Sequence, residues 1–287
     1  MKITSRRDFI KTSGAVGSFF ILPSGLRAKS PNGKICTAHI GTGGKGRIDT
    51  AYLAKHSNVE VIGLCDVDYA HGKIDTWSKQ FKSATAFQDY REMLTQLDDK
   101  IDAVSISTPD HTHFPATMDA MERGKHIYLQ KPLTHKLKEA RQLAEFAEKK
   151  GLTTQMGIQN QSREAYRLAR HYIKEGLIGQ VSKVYVWSFK TWGYDGEPFK
   201  EKSEVPGTLD WNLWLGTAPK HNYVSKVYHP GQWRKLLDFG CGTLGDMGIH
   251  IFDTPFKALD LKDPKSVSYT HLRAHETPEH LGWRRVR

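Results

Sequence analysis

A lysine, an aspartate and a histidine in this chain have the types and positions needed to move a proton at a hydroxyl-bearing carbon. Lys131 follows the apolar run His126-Ile-Tyr-Leu129 and precedes Pro132. It therefore sits just past the carboxyl end of an expected strand, where open α/β sheets bind their ligands. An ammonium there can orient a substrate hydroxyl and favour loss of its proton. Asp246 and His250 lie four residues apart in a stretch of helical pattern, so they share one helix face. Histidine titrates close enough to neutrality to accept a hydroxyl proton. A plainer account also fits: an acid favoured by a helix N-terminal dipole beside an unrelated histidine. No third ligand accompanies the pair, so no metal site is assigned.

The partner for such chemistry is written between residues 34 and 66. A short apolar run ends at Gly41-Thr42-Gly43-Gly44-Lys45-Gly46, a helical pattern covers residues 47–56, and a second apolar run ends at Asp66. Gly41 suits the tight turn, Gly43 lets backbone approach a pyrophosphate, and Gly46 lets the helix pack close to its strand. The helix N-terminus offers N–H groups and a positive dipole end to phosphates. Asp66 stands 20 residues beyond Gly46, the place of an acid that binds ribose hydroxyls. The expected cofactor is NAD, because a carboxylate repels a 2′-phosphate. Arg47 beside the turn keeps NADP as the second choice.

Strands and helices must alternate to position these groups. Helical patterns are expected over 69–81, 89–96, 114–123 and 136–150, with Gly124 and Gly151 as stops. Strands are expected over 84–87, 103–107, 126–129 and 153–156. This rhythm predicts an α/β fold, an N-terminal Rossmann doubly wound parallel sheet over residues 33–159. Past residue 160 the composition shifts. Ser162 is expected to cap a helix ending near Gly176, and residues 181–189 alternate at period two like a strand with one covered face. A loop rich in Gly, Pro and Trp spans 191–230, and Gly245-Asp246 opens a helix holding His250. One clear strand cannot make a core. Residues 160–265 are therefore read as an incomplete α+β open-sheet domain with an exposed apolar face.

Both ends are set apart from the fold. Residues 1–28 hold Arg6-Arg7, a short weakly apolar stretch and a small-residue exit, the pattern of a twin-arginine signal peptide. That predicts a protein exported to the periplasm by the twin-arginine translocase. Residues 266–287 lose apolar periodicity, grow dense in His and Arg, and read as a non-native tail joined to a truncated frame. Of the formal net charge of +11, residues 1–28 hold +4 and 266–287 hold +2, leaving +5 on the body. That excess forms no basic stripe with interleaved aromatics, so no nucleic-acid partner is expected. Cys36, Cys65 and Cys241 show no metal spacing, and the first two are too far offset along neighbouring strands for a disulfide.

Four motifs together resemble the Gfo/Idh/MocA family, the glucose–fructose oxidoreductase and inositol dehydrogenase relatives. They are the glycine turn with Asp66, Thr108-Pro109-Asp110-x-x-His113, Gln130-Lys131-Pro132 and Gly245-Asp246-x-x-x-His250, and the match covers about residues 33–262. The stretch Asp210-Trp-Asn-Leu-Trp-Leu-Gly216 resembles the secreted branch. The resemblance implies a cleft between a Rossmann domain and an open antiparallel sheet. It implies cofactor contacts from Thr108, Pro109 and Lys131, and a cofactor side of the cleft shaped by His113. His250 would be the general acid/base, Asp246 would hold the sugar or orient the imidazole, and Trp233 and Arg234 would wall the ring. The sequence departs from the family's Glu-Lys-Pro at Gln130, which removes a carboxylate that would help keep Lys131 protonated. Three functions stay open: an NAD-dependent oxidoreductase on a sugar, cyclitol or glycoside hydroxyl; an NAD-retaining glycosidase or lyase; and an inactive truncated fragment. An oligomer is expected only for a full-length protein.

Overall fold

In the computed structural model, which describes residues 33–194 and 199–268, six short strands form one wholly parallel sheet. They are β1 (Ile35–Ile40), β2 (Val59–Cys65), β3 (Thr85–Phe87), β4 (Ala103–Ile106), β5 (His126–Gln130) and β6 (Thr154–Gly157), ordered β3-β2-β1-β4-β5-β6. The order reverses between β1 and β4, and the crevice above such a switch point is where doubly wound sheets take dinucleotides. β1 and β4 are buried almost throughout, as strands covered on both faces must be. Six helices cover them: α1 (Gly44–Leu53), α2 (Tyr69–Gly72), α3 (Ile74–Gln80), α4 (Tyr90–Gln96), α5 (Asp110–Glu122) and α6 (Leu137–Lys150). The main core joins Val104, Ile106, Met93, Leu94, Met121 and Leu129. A second one gathers Val61, Leu64, Ile74 and Trp77.

Two helices depart from the expected bounds. The helix expected over 69–81 breaks at Lys73, whose φ of 55° both ends α2 and precedes α3. α5 starts at Asp110 rather than 114, because Pro109 supplies an extended N-cap and the helix runs on through Pro115. Gly151, at φ 63°, ends α6 as expected. Cys36 pairs with Glu60 while Cys65 pairs with Ile40, so the two thiols stand four residues apart along β1 and five along β2, too far for a disulfide.

No strand occurs after Gly157 among the described residues. Residues 181–189 are the clear correction: the segment forms no strand and joins no ladder. Alternation shows which face wants cover, but a strand also needs a neighbouring ladder. Tyr185, Trp187 and Phe189 accordingly stay exposed, Phe189 by 92%. Ser162 ends a 3₁₀ turn instead of capping α7 (Glu164–Lys174), whose N-cap is Arg163. The other helices are α8 (Trp211–Leu215), α9 (Gly242–Ile251) and α10 (Asp253–Ala258). What orders this half is an aromatic cluster of Trp214, Tyr223, Tyr228, Trp233 and Phe239. It is stitched to the sheet's carboxyl edge by Tyr69 N–H to the Thr208 carbonyl at 3.0 Å and Asp210 N–H to the Val67 carbonyl at 2.9 Å. The expected signal peptide and most of the expected tail lie outside the described residues.

Candidate active site

The glycine turn is built by close approach. Gly41 adopts φ +78°, and a Cβ there would stand 2.7 Å from the Ser107 carbonyl oxygen. At Gly46 a Cβ would fall 1.7 Å from the Gly41 carbonyl oxygen, so only glycine lets α1 lie against the turn. Gly43 is tight for a different reason than expected: the space of its missing Cβ is taken by the carbonyl and ring of His71. Gly44 follows at φ +47°. Asp66 knots the turn together. Its Oδ2 accepts the N–H groups of Thr42 at 2.9 Å and Gly43 at 3.1 Å, while Oδ1 accepts Asp68 N–H at 3.0 Å. Burial raises the Asp66 pKa, and these backbone bonds and His71 oppose it. Thr42 is wholly buried, its hydroxyl donating to the Gly72 carbonyl.

These groups suit a dinucleotide. α1 has neither a side-chain cap nor an acid in its first turn, leaving its N-terminal N–H groups to a phosphate. Thr108 Oγ1 is buried with no partner among the described residues. A cavity of about 450 Å³ is lined by Gly41, Gly43, Gly44, Lys45 and Asp66, by Thr108 and Pro109, and by Lys131, Asp246, Trp233 and Arg234. Its size and mixed lining are those of a small-molecule site.

Lys131 lies at the end of β5, next to the cis Lys131–Pro132 bond. Its Nζ donates to Asp246 Oδ1 at 2.6 Å and to the Asp246 carbonyl at 2.8 Å. Asp246 Oδ2 accepts Trp192 Nε1–H at 2.9 Å, and Arg234 Nε stands 3.4 Å from Oδ1. Burial works to raise the Asp246 pKa, but Lys131, Arg234 and Trp192 outweigh it, and the net shift is downward. Arg234 also lies over the Trp233 ring, 4.2 Å from its centroid. The expected wall of Trp233 and Arg234 is thus on the cavity.

His250 is not on that cavity. It lies one turn beyond Asp246, about 6 Å along α9, buried and facing Tyr166 and Trp187. Four residues turn a helix by rather more than a full circle, so the shared face that brings Asp246 to Lys131 points His250 to the next layer. Its Nδ1 has no partner among the described residues. Burial and Lys131 lower its pKa, against Asp246 and Asp253. His113 also stands behind the wall. Its ring nitrogens are 2.8 Å from the Pro132 carbonyl and 2.9 Å from the Thr108 carbonyl, and burial drops its pKa to about 4. The neutral ring donates to one carbonyl at a time, bracing the two loops that meet at the cavity.

Three residues escaped the sequence reading, and a fourth, Asp110, entered it only within its motif. Asp49, inside α1, accepts Gln130 Nε2–H at 2.8 Å and Ser107 Oγ–H at 3.1 Å. Its only signal is an acid on the buried side of a helix. Asp110 accepts Cys241 N–H at 3.1 Å, and burial pushes its pKa up to about 7. His71 and His229 meet edge to face, 4.8 Å between centroids, with His229 bonded to Asp68 at 2.9 Å. Nothing local marks the last two, because the contact joins residues far apart in the chain.

A six-stranded parallel sheet in this order, with a glycine turn, an acid after β2 and a lysine after β5, defines a dinucleotide-binding oxidoreductase fold. Residues 35–158 match the NAD-binding Rossmann fold of the Gfo/Idh/MocA oxidoreductase family, and residues 163–287 match its C-terminal alpha/beta domain. The chain belongs to this family. The second match takes in residues 266–287. scyllo-Inositol 2-dehydrogenase (NAD(+)) of Bacillus subtilis is 33% identical over 132 residues, 45% of this chain and 38% of that protein. The alpha-N-acetylgalactosaminidase of Shewanella oneidensis is 28% identical over 204 residues, 61% of this chain and 44% of that protein. The structure of GenD2 from gentamicin A biosynthesis, in complex with NAD, shares the fold, with a TM-score of 0.56 at 22% identity over 79% of this chain and 54% of that one. The chain spans about half, or less, of the length of the curated relatives it matches.

Proposed function

We propose that this chain is the cofactor-binding and lysine-bearing part of an NAD-dependent oxidoreductase acting on a hydroxyl of a sugar, cyclitol or glycoside. One observation carries the reading: the Lys131 ammonium, 2.6 Å from the Asp246 carboxylate, lines the same cavity as the glycine turn. NAD, when bound, supplies the hydride acceptor. The N-terminus of α1 receives the diphosphate, and Asp66 the ribose hydroxyls. Lys131 donates to the reacting hydroxyl oxygen and stabilises the negative charge that grows there. Asp246 holds Lys131 through their 2.6 Å ion pair and takes the hydroxyl proton. Arg234 over Trp233 gives a sugar a cationic and aromatic wall.

The test is a calorimetric titration with NAD and NADP, followed by a panel of cyclitols and glycosides scored by NADH absorbance. Failure of a well-folded preparation to bind either coenzyme would end this reading. A second reading, transient oxidation followed by elimination and return of the hydride, is favoured by the likeness to the galactosaminidase, which extends past the Rossmann domain. Sugar release without net NADH, with solvent deuterium entering the ring, is its signature. Stoichiometric NADH is that of the dehydrogenase. Export through the twin-arginine pathway belongs to the same proposal and rests on Arg6-Arg7; Arg6→Lys with Arg7→Lys should leave the protein in the cytoplasm.

A further inference from the structure

Gln130 departs from the acid that its motif favours, and a buried carboxylate, that of Asp49, faces its amide. Asp49, 5% exposed, reaches from α1 to the carboxyl edge of the sheet. One of its oxygens, Oδ2, accepts both Gln130 Nε2–H, 2.8 Å away at the end of β5, and Ser107 Oγ–H, 3.1 Å away after β4. Its other oxygen pairs with Lys45, which lines the cavity beside the glycine turn. Gln130 Oε1 in turn accepts the backbone N–H of Lys131 at 3.3 Å. Gln130 is itself 4% exposed and packed so closely that a Cβ on Gly157 would lie 2.5 Å from its amide nitrogen. A glutamate at 130 would set a second buried carboxylate at hydrogen-bond distance from Asp49 and remove the amide N–H that now donates to it.

We propose that Asp49 is the positioning residue for Lys131: by holding the Gln130 amide it sets the backbone of the lysine, and through Lys45 it sets the phosphate end of the cavity. One chain, Lys45–Asp49–Gln130–Lys131, then joins the helix that receives the diphosphate to the strand end that carries the ammonium. The amide at 130 and the acid at 49 form a matched pair. Either order of acid and amide satisfies the bond, but two acids or two amides do not serve equally. The role of Lys131 rests on the oxidoreductase reading above. The pairing does not.

The experiment compares the full chain with Asp49→Asn, Gln130→Glu and the double variant. Three readouts are taken: thermal unfolding, calorimetric titration with NAD, and the rate at which an amine-acylating ester labels Lys131, mapped by mass spectrometry. Gln130→Glu alone should lower the melting temperature, weaken NAD roughly tenfold, as losing one charge-assisted bond does, and change Lys131 labelling. Asp49→Asn should shift labelling less and NAD more, because Lys45 loses its partner. The double variant should return melting and Lys131 labelling to the parent values. Additive losses in the double variant, or a neutral Gln130→Glu, would overturn the pairing. A parent chain that binds no NAD would sink the functional reading, while melting and labelling would still decide the pair.

Discussion

The two halves of this chain solve burial in different ways. Residues 33–158 close their backbone bonds within one six-stranded ladder and cover both faces with helices. Residues 159–268 show no strand among the described residues, and they order themselves by stacking aromatic rings and leaning on the sheet's carboxyl edge. Trp211 and Trp214 stack at 4.7 Å, and Phe239 fills the corner beside His111. The first half carries its own backbone partners. The second borrows them, as in the antiparallel bridge of Asp68 with Leu209. A ladder propagates order along a strand, whereas an aromatic cluster orders only what touches it. That is why residues 181–189, beyond the cluster's reach, form no strand and leave Tyr185, Trp187 and Phe189 exposed.

The largest test of this contrast is at the glycine turn. Gly46→Val puts carbon where the Gly41 carbonyl stands, and should cost about 4 kcal/mol or more, since the helix must leave its strand. Urea unfolding would measure it, and a near-neutral result would mean the turn is far more pliant than its contacts imply. Next, Trp214→Ala should cost about 3–5 kcal/mol, with hydrogen exchange rising in residues 205–245 while β1, β4 and β5 stay protected. Equal exposure of both halves would erase the distinction drawn here.

Lys131→Ala belongs third on the stability scale but first on function. Turnover should fall roughly a thousandfold with NAD affinity little changed; loss of NAD binding instead would place the lysine in the cofactor cradle. The Asp110 carboxyl gives a pH test. Its pKa rises from an ordinary 3.8 to about 7 because it is buried. Below 3.8 both folded and unfolded forms hold the proton; as pH climbs toward 7 only the folded form does, so stability is lost through that window. Asp110→Asn keeps an acceptor for Cys241 and should flatten that decline; an unchanged slope would show that the carboxyl is not its source. The smallest effect is expected at Phe189→Ser. Stability should move by less than about 0.5 kcal/mol while solubility improves, and a large loss would reveal a partner for the exposed segment.

Some of this was legible in the residues alone. Glycine at 41 and 46, an acid at 66 and apolar runs of four to seven residues specify the first crossover, because turn chemistry and strand burial are local. The place of Lys131 after β5 followed from the same rhythm. The local misses are element ends, such as the break at Lys73 and the start of α5 at Asp110, while the larger failures involve contacts between distant segments. Period two over residues 181–189 named a face but could not name the neighbour a ladder needs. Spacing put Asp246 and His250 on one helix face but could not say which of them meets Lys131.

The alternation, the turn and the family of chemistry can be read from residues a few positions apart. Contacts between distant segments settle that Asp246 rather than His250 holds the lysine, that His71 fills the hollow at Gly43, and that a buried Asp49 accepts the Gln130 amide. Those choices turn on helix phase and on the distance between chain segments brought together at the sheet edge. Hydrophobic pattern is indifferent to both.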